Sequence, residues 1–555
     1  MDAGAAAPVE GHSLPHAESQ ASCASAASGQ DAFGVNGRTP ETARSMRSLP
    51  SESGLTLRSE SGLSEDSEKA ISLGPQAPPG MEKVMAATAN FAGPQAAVEM
   101  MAASSTVCRW LTSGTGCPQE MRRFREQAFE SGLRIAVIVN GCLGDLQPMI
   151  ALTRCLVRYR HRVCIFTNAN LVPVCWEHGL DALPVFADSQ AVMQNIGGVG
   201  RSRSEGANKA GRAASEWLLA NPKACTRIDD ALIEMKPHAM ICGTQASAPC
   251  IRHEQRAMVP TIPVFLTREM LKQLEWIATS QPSRPSFFAV SQLLDDEELP
   301  AVAELRRTED WFLEEQPSAA DLEEGGALAE LRSFLDSGPP PVAIGWGSTI
   351  AKRAPAPVML RLALAGLQAA GMRGVILGGW ARVDEVGRAV AAGDDEALAA
   401  LDVENPQELA TFAAREVCFV PSAPYAWLLP RCCCIVHHGG VGTTHSALRA
   451  GLPSVVTPVK GDHFPTAEAI RRQSAGFGFD VPLHKVTKEQ LASAISQALE
   501  ATRHCDELRR RLEENKGEKR AAAFINKFLR EEVLTGRWEQ EFHRHSLAAR
   551  RDESP

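Results

Sequence analysis

The chain has 555 residues, a formal net charge of −9 and 44% hydrophobic residues. That length allows two or three domains with full cores. The acid excess leaves no basic footprint, which argues against nucleic acid as a partner, and the absence of any run of about 18 apolar residues predicts no membrane-spanning helix. In chain order, residues 1–80 are rich in Ser, Gly, Ala, Pro and Glu, with Phe33 as their only aromatic residue. So little apolar surface cannot offset chain entropy, and a disordered leader is expected over 1–130, with one isolated helix near 118–129.

Regular structure is predicted from residue 133. Residues 133–139 form a continuous apolar strand, 140–144 a loop, 148–159 a helix and 162–166 the next strand. Apolar runs at 183–186, 239–242 and 261–266 then alternate with helical patterns such as 216–235. This alternation implies a parallel, doubly wound sheet, read as a first domain over 131–280. Residues 281–340 carry acidic and proline punctuation without a period and read as a connection. The pattern restarts in a second domain over 341–505, with strands at 342–345, 374–377, 417–420, 432–436 and 454–457. A charged helical tail follows over 506–555. The fold class is α/β, with two doubly wound Rossmann-like domains facing a cleft. In such sheets ligands bind beyond the carboxyl ends of the strands, and Asp145, Ser348, His438 and Asp462 lie on loops of that kind.

The opening Met1-Asp2-Ala3-Gly4 lacks the basic and apolar parts of a secretory signal. The fifteen cysteines are scattered singly or adjacent, as at Cys432, Cys433 and Cys434, without the paired spacing of a zinc site. A reducing, cytoplasmic setting is expected.

The stretch His437-His438-Gly439-Gly440-Val441-Gly442-Thr443-Thr444 carries the most chemistry. A buried strand, a glycine-rich turn and a helix start make an anion site, because the glycines let backbone approach a ligand and the first helical turn offers unpaired N–H groups. A phosphate or diphosphate fits, and His438 adds a donor that neutralises charge on a departing phosphate. The same glycines could serve as ordinary tight-turn residues, and the histidines could be satisfied by main-chain carbonyls.

Six pieces in order carry a wider likeness: residues 141–148 (GCLGDLQP), 339–349 (PPPVAIGWGST), 421–430 (PSAPYAWLLP), 437–444 (HHGGVGTT), 449–453 (RAGLP) and 461–463 (GDH). With these the chain resembles the GT-B fold UDP-glycosyltransferases, in particular their sterol 3-beta-glucosyltransferase-like branch. The N-terminal half matches at its first strand and around Thr308-Glu309-Asp310-Trp311-Phe312 and is loose between; the leader matches nothing.

The resemblance implies transfer of a hexose, glucose for preference, from a UDP-sugar to a hydroxyl of a sterol or other lipophilic alcohol, with inversion at the anomeric carbon. Asp145 stands where this branch has its general base; it could equally cap the following helix, or do both. The helix start at Gly440, Val441, Gly442 and Thr443, with His438, would meet the charge developing on UDP. Ser348 would reach phosphate or ribose, or serve as a turn residue. Asp462 stands where the family's aspartate bonds glucose hydroxyls, with His463 in place of the usual glutamine. Ala423 stands where main-chain atoms hold uracil, and Tyr425 occupies a position usually filled by histidine. No Asp-x-Asp pair stands near these motifs, so neither a metal nor another cofactor is expected.

The departures are specific. Cys142 and Leu143 replace a serine and an arginine of the family's first loop, which removes a cationic contact to the donor, and an acceptor-wall insertion between 268 and 282 is shortened. These changes motivate an alternative: a catalytically impaired, nucleotide-sugar-binding relative acting as a regulatory or partner subunit. A nucleotide-sugar epimerase would have no use for Asp145. Contact with a membrane-borne acceptor would be peripheral, through exposed apolar residues of the first domain.

Overall fold

The computed structural model describes residues 132–198, 203–273, 282–302 and 304–552. The expected leader, its helix near 118–129 and most of the shortened acceptor wall lie outside the described residues. The first sheet holds β1 (Arg134–Ile138), β2 (Arg162–Asn168), β3 (Asp181–Phe186), β4 (Ala239–Gly243), β5 (Thr261–Phe265), β6 (Ser286–Phe288) and β7 (Leu305–Arg307). Its order is β3-β2-β1-β4-β5-β6-β7, and every pairing is parallel. Parallel strands are covered on both faces, and β1 is buried throughout.

Helix α1 (Leu143–Arg158) follows β1. It starts five residues before the expected position 148, so Pro148 lies inside it and Asp145 within its first turn. The single helical run expected over 216–235 is two helices, α2 (Arg203–Ala220) and α3 (Ile228–Met235). They part around Asn221-Pro222, where proline steers the preceding residue away from helical backbone.

The second sheet holds β8 (Val342–Gly345), β9 (Gly374–Leu377), β10 (Val417–Val420), β11 (Cys434–His437), β12 (Ser454–Val456) and β13 (Gly476–Gly478). The order is β10-β9-β8-β11-β12-β13, again all parallel. Helix α4 (Ala356–Ala370) follows β8, α5 (Val441–Arg449) follows β11, and α6 (His463–Arg472) follows β12. In both sheets the chain reverses its strand order, at β1/β4 and at β8/β11, and the loops leaving those strands carry the candidate site.

Two stretches differ from expectation. The one read as a connection contributes β6 and β7 to the first sheet; three-residue strands carry no readable period. The tail forms α7 (Thr502–Glu513), α8 (Gly517–Phe528) and α9 (Arg537–Asp552). Ala521, Ala522, Ile525 and Leu529 share one core with Ile135, Leu146 and Met149, so α8 returns to cover the first domain. Trp538 on α9 is buried beneath Arg284, which itself forms a buried ion pair with Glu254 at 2.5 Å.

Polar joints tie the second domain to the first sheet's extension, two of them on α5. Arg449, the last residue of α5, pairs with Asp310 through two hydrogen bonds of 2.8 and 3.0 Å. His445 on the same helix has its Nε2 3.1 Å from the Ser291 hydroxyl.

Candidate donor and acceptor site

Why the turn after β11 closes as it does follows from two glycines. Gly439 has φ +95°, and a Cβ there would lie 2.8 Å from Val456 and 3.0 Å from the His463 carbonyl. At Gly440 a Cβ would lie 2.4 Å from His438 Nε2. Only glycine lets the backbone take this path and lets the His438 ring lie against it. Gly440 is then the N-cap of α5, and Thr444 N–H closes the first helical bond to its carbonyl at 3.0 Å. The N–H groups of Val441, Gly442 and Thr443 precede that bond, so the helix presents its positive end here. A side chain added at the exposed Gly442 would meet nothing within 4 Å, which leaves room for a ligand.

The histidines divide the work. His437 is fully buried, its Nδ1 accepts from Gly439 N–H at 3.1 Å, and burial pushes its pKa down to about 3. It holds the turn. His438 stands between His437 and His463, with ring centroids 6.4 and 4.7 Å away. Burial first, then the neighbouring His463, His437 and Lys460, hold its pKa well below the ordinary value. Burial therefore favours the neutral ring, which can still offer an N–H as the donor expected from the sequence. Its Nδ1 is buried without a hydrogen-bond partner. His463 is 2% exposed, and its Nδ1 accepts from the N–H groups of Val459 at 3.2 Å and Lys460 at 3.4 Å. In this position it braces the loop after β12 and backs His438.

Asp462, the N-cap of α6, bonds Lys460 Nζ through Oδ2 at 3.2 Å, while its Oδ1 is buried without a partner. Tyr425 shares a side-chain hydrogen bond with Thr443, and burial raises its phenol pKa. Ala423 and Tyr425 both pack against the core formed by Val420, Trp427 and Leu428. Ser348 lies on the loop after β8 and shares a hydrogen bond with the thiol of Cys142, on the first domain's loop. That contact brings the two loop sets face to face.

On the first domain, Asp145 is the third residue of α1. Its Oδ2 accepts from Cys142 N–H at 2.9 Å, three residues back. The N-cap is Cys142, so Asp145 caps the helix from inside its first turn, not from in front of it. Burial raises the Asp145 pKa; bonds from the Cys142 N–H and thiol, and the charge of Lys460, work against that rise, and Asp462 adds to it. A half-buried carboxylate with a raised pKa, facing the opposite domain, suits a general base. Leu143 turns partly onto the first domain's core. The sequence reading brought together Asp145, Ser348, His438, Thr443 and Asp462; it missed Lys460, because a lone lysine in a loop carries no signal until the facing loop is known.

Residues 384–527 match the family described as Erythromycin biosynthesis protein CIII-like, C-terminal domain. A sterol 3-beta-glucosyltransferase of Neosartorya fischeri is 27% identical over 377 residues, which cover 60% of this chain. The match spans only a quarter, 25%, of that relative's own length. The O-mycaminosyltylonolide 6-deoxyallosyltransferase of Streptomyces fradiae is 26% identical over 433 residues, covering 66% of this chain and 90% of the relative. The solved glycotransferase of kitacinnamycin aligns with 17% identity and a TM-score of 0.48, covering 71% of this chain and 98% of its own. The two parallel-sheet domains, their ordered loop motifs and these matches make the chain similar to glycosyltransferases, with residues 384–527 resembling the EryCIII-like C-terminal domain.

Proposed function

We propose that the chain is an inverting transferase that moves a hexosyl unit, glucose for preference, from a UDP-sugar to a hydroxyl of a sterol or similar lipophilic alcohol. The observation that carries this reading is Asp145: a carboxylate with a raised pKa on one domain, within the field of Asp462 and Lys460 on the other. In the proposed step Asp145 accepts the proton of the acceptor hydroxyl. The acceptor oxygen bonds to the anomeric carbon as the bond from that carbon to the β-phosphate oxygen breaks, and UDP leaves with the electron pair. The first turn of α5 and the His438 N–H receive the growing negative charge. The free Oδ1 of Asp462 accepts from sugar hydroxyls, and no metal or other cofactor is assigned a role.

The names of the two relatives differ in both sugar and acceptor, so the sterol preference rests on the ordered motifs of this chain. Among the described residues no helix is long and apolar enough to cross a membrane. Contact with a membrane-borne acceptor is proposed as peripheral, through first-domain residues such as Leu219 and Ile233, which are 82% and 62% exposed. The test is UDP release and product mass, with UDP-glucose and a sterol panel. Acceptor-dependent release with a glucosylated product is expected. Binding of UDP-glucose without transfer to any alcohol would instead support the partner-subunit alternative.

A further inference from the structure

The cleft-facing loop of the first domain, residues 141–145, contains Gly, Cys, Leu, Gly and Asp and no cation. Leu143 turns partly onto its own domain's core. A nucleoside diphosphate bound between the domains carries two or more negative charges, and its departure concentrates charge on the terminal phosphate. A helix end and a neutral imidazole supply only partial positive charge. The site as the motifs describe it thus holds the electronegative groups Asp145 and Asp462 without a formal counter-charge.

Lys460 occupies that gap from the opposite side. Its backbone N–H is held on His463 Nδ1, which fixes the root of the side chain at the mouth of α6. Its tip pairs with Asp462 Oδ2 at 3.2 Å yet remains 40% exposed, so it can meet a ligand while it stays beside the mostly buried Asp462 carboxylate. Its charge is felt at Cys142 and Asp145 on the first domain, and at His438 and His463 on its own. It therefore stands where the two loop sets meet, beside the helix start that offers N–H groups to an anion.

We propose that Lys460 is a donor-site residue that contacts the diphosphate and supplies from the second domain the cation that the first domain's loop lacks. The pair then divides the donor: Lys460 takes the anion, and Asp462, with its free Oδ1, takes sugar hydroxyls. Because the contact strengthens as the bond to the β-phosphate oxygen breaks, Lys460 assists both binding and departure. This assignment rests on the UDP-sugar reading above.

The test is calorimetric titration of the full chain and its Lys460→Ala and Lys460→Arg variants with UDP, uridine and UDP-glucose, beside thermal melting. Lys460→Ala should lose UDP affinity about ten-fold, the scale of one charge-assisted contact at a partly exposed site. Uridine, which has no phosphate, should bind unchanged, and Lys460→Arg should recover most of the UDP affinity. Raised salt should shrink the gap between wild type and Lys460→Ala. Unchanged UDP affinity in Lys460→Ala, with weaker UDP-glucose binding, would overturn the proposal, since it is what a lysine that merely orients Asp462 would give. A wild-type chain that binds neither UDP nor uridine would remove the donor reading itself, and this assignment with it.

Discussion

The two domains share one sheet plan, yet they hold their functional groups in opposite ways. In the second, the polar groups are locked by backbone: Gly439 N–H on His437, Val459 and Lys460 N–H on His463, and the first turn of α5 fixed by Gly440. Much of that half is a preorganised field for an anion, which needs no side-chain movement when charge develops. In the first, the chemistry rests on one carboxylate whose environment is tuned by burial and by its hydrogen bonds to Cys142. The difference teaches where damage should show: changes in the second domain should weaken binding, and a change at Asp145 should stop turnover and leave binding alone.

The largest expected effect tests that division directly. Asp145→Asn should lower transfer by about 100- to 10,000-fold, because asparagine can still accept from Cys142 N–H but cannot take a proton from the acceptor. UDP affinity should stay within a few-fold of wild type. The raised pKa adds two signed expectations. The acid limb of the wild-type rate profile should lie above the ordinary aspartate range, with activity lost as pH falls through the raised value. An acid whose folded pKa is raised gives stability that is fully present below its unfolded pKa and lost as pH rises through the folded one. At neutral pH the ionised Asp145 therefore destabilises the fold, so Asp145→Asn should melt higher at pH 7, and the gain should vanish near pH 4. Near-normal transfer by this variant would sink the base assignment.

Next comes the joint between the halves. Asp310 and Arg449 are 4% and 9% exposed, and their paired bonds fasten the end of α5 to the first sheet's extension. Asp310→Ala would strand a buried guanidinium and should cost about 3–5 kcal/mol of stability in thermal or denaturant unfolding. A loss below about 1 kcal/mol would show that Arg449 finds a substitute, for instance the Asn515 carbonyl it already reaches at 3.2 Å.

What could be read from the sequence follows the same line between local and distant causes. The strand–turn–helix at 434–449 is visible because each part has its own local signal: an apolar run, glycines, then a helical period. Asp145 could be located but not placed. Pro148 looked like a helix start, since proline favours the first helical turn, whereas α1 begins at Leu143 on a cysteine N-cap, a residue that does not signal a cap. The stripe Ala521, Ala522, Ile525 and Leu529 has helical spacing, but nothing local says that its partner is α1, several hundred residues earlier. Lys460 and the neutrality of His438 belong to this second kind, since both depend on what faces them in space.

A smaller effect is expected at His438. His438→Ala should weaken UDP binding by roughly 1.5–3 kcal/mol, the range for a hydrogen bond to a charged group, and should slow transfer by a similar factor. Because burial already holds the ring neutral, titrating UDP between pH 6 and 8 should show little change arising from this residue in the free protein. A folded variant with unchanged UDP affinity would assign the site's anion binding to the helix start and Lys460 alone.

The smallest effect separates architecture from recognition inside the second domain. Tyr425 stands where the resemblance leads one to expect a histidine; its hydroxyl bonds Thr443, in the first turn of α5, and its ring lies against the Val420–Trp427–Leu428 core. On that geometry the phenol is engaged with the helix start. Tyr425→Phe keeps the ring and removes only the hydroxyl, so it should lower stability by about 1 kcal/mol or less, with UDP affinity altered no more than about two-fold. The check is a melting curve beside a UDP titration. A ten-fold loss of UDP affinity at unchanged stability would mean that the hydroxyl turns from Thr443 to the ligand. The second domain's polar groups would then be less fixed than their backbone bonds imply, and the contrast with Asp145 would narrow to one of degree.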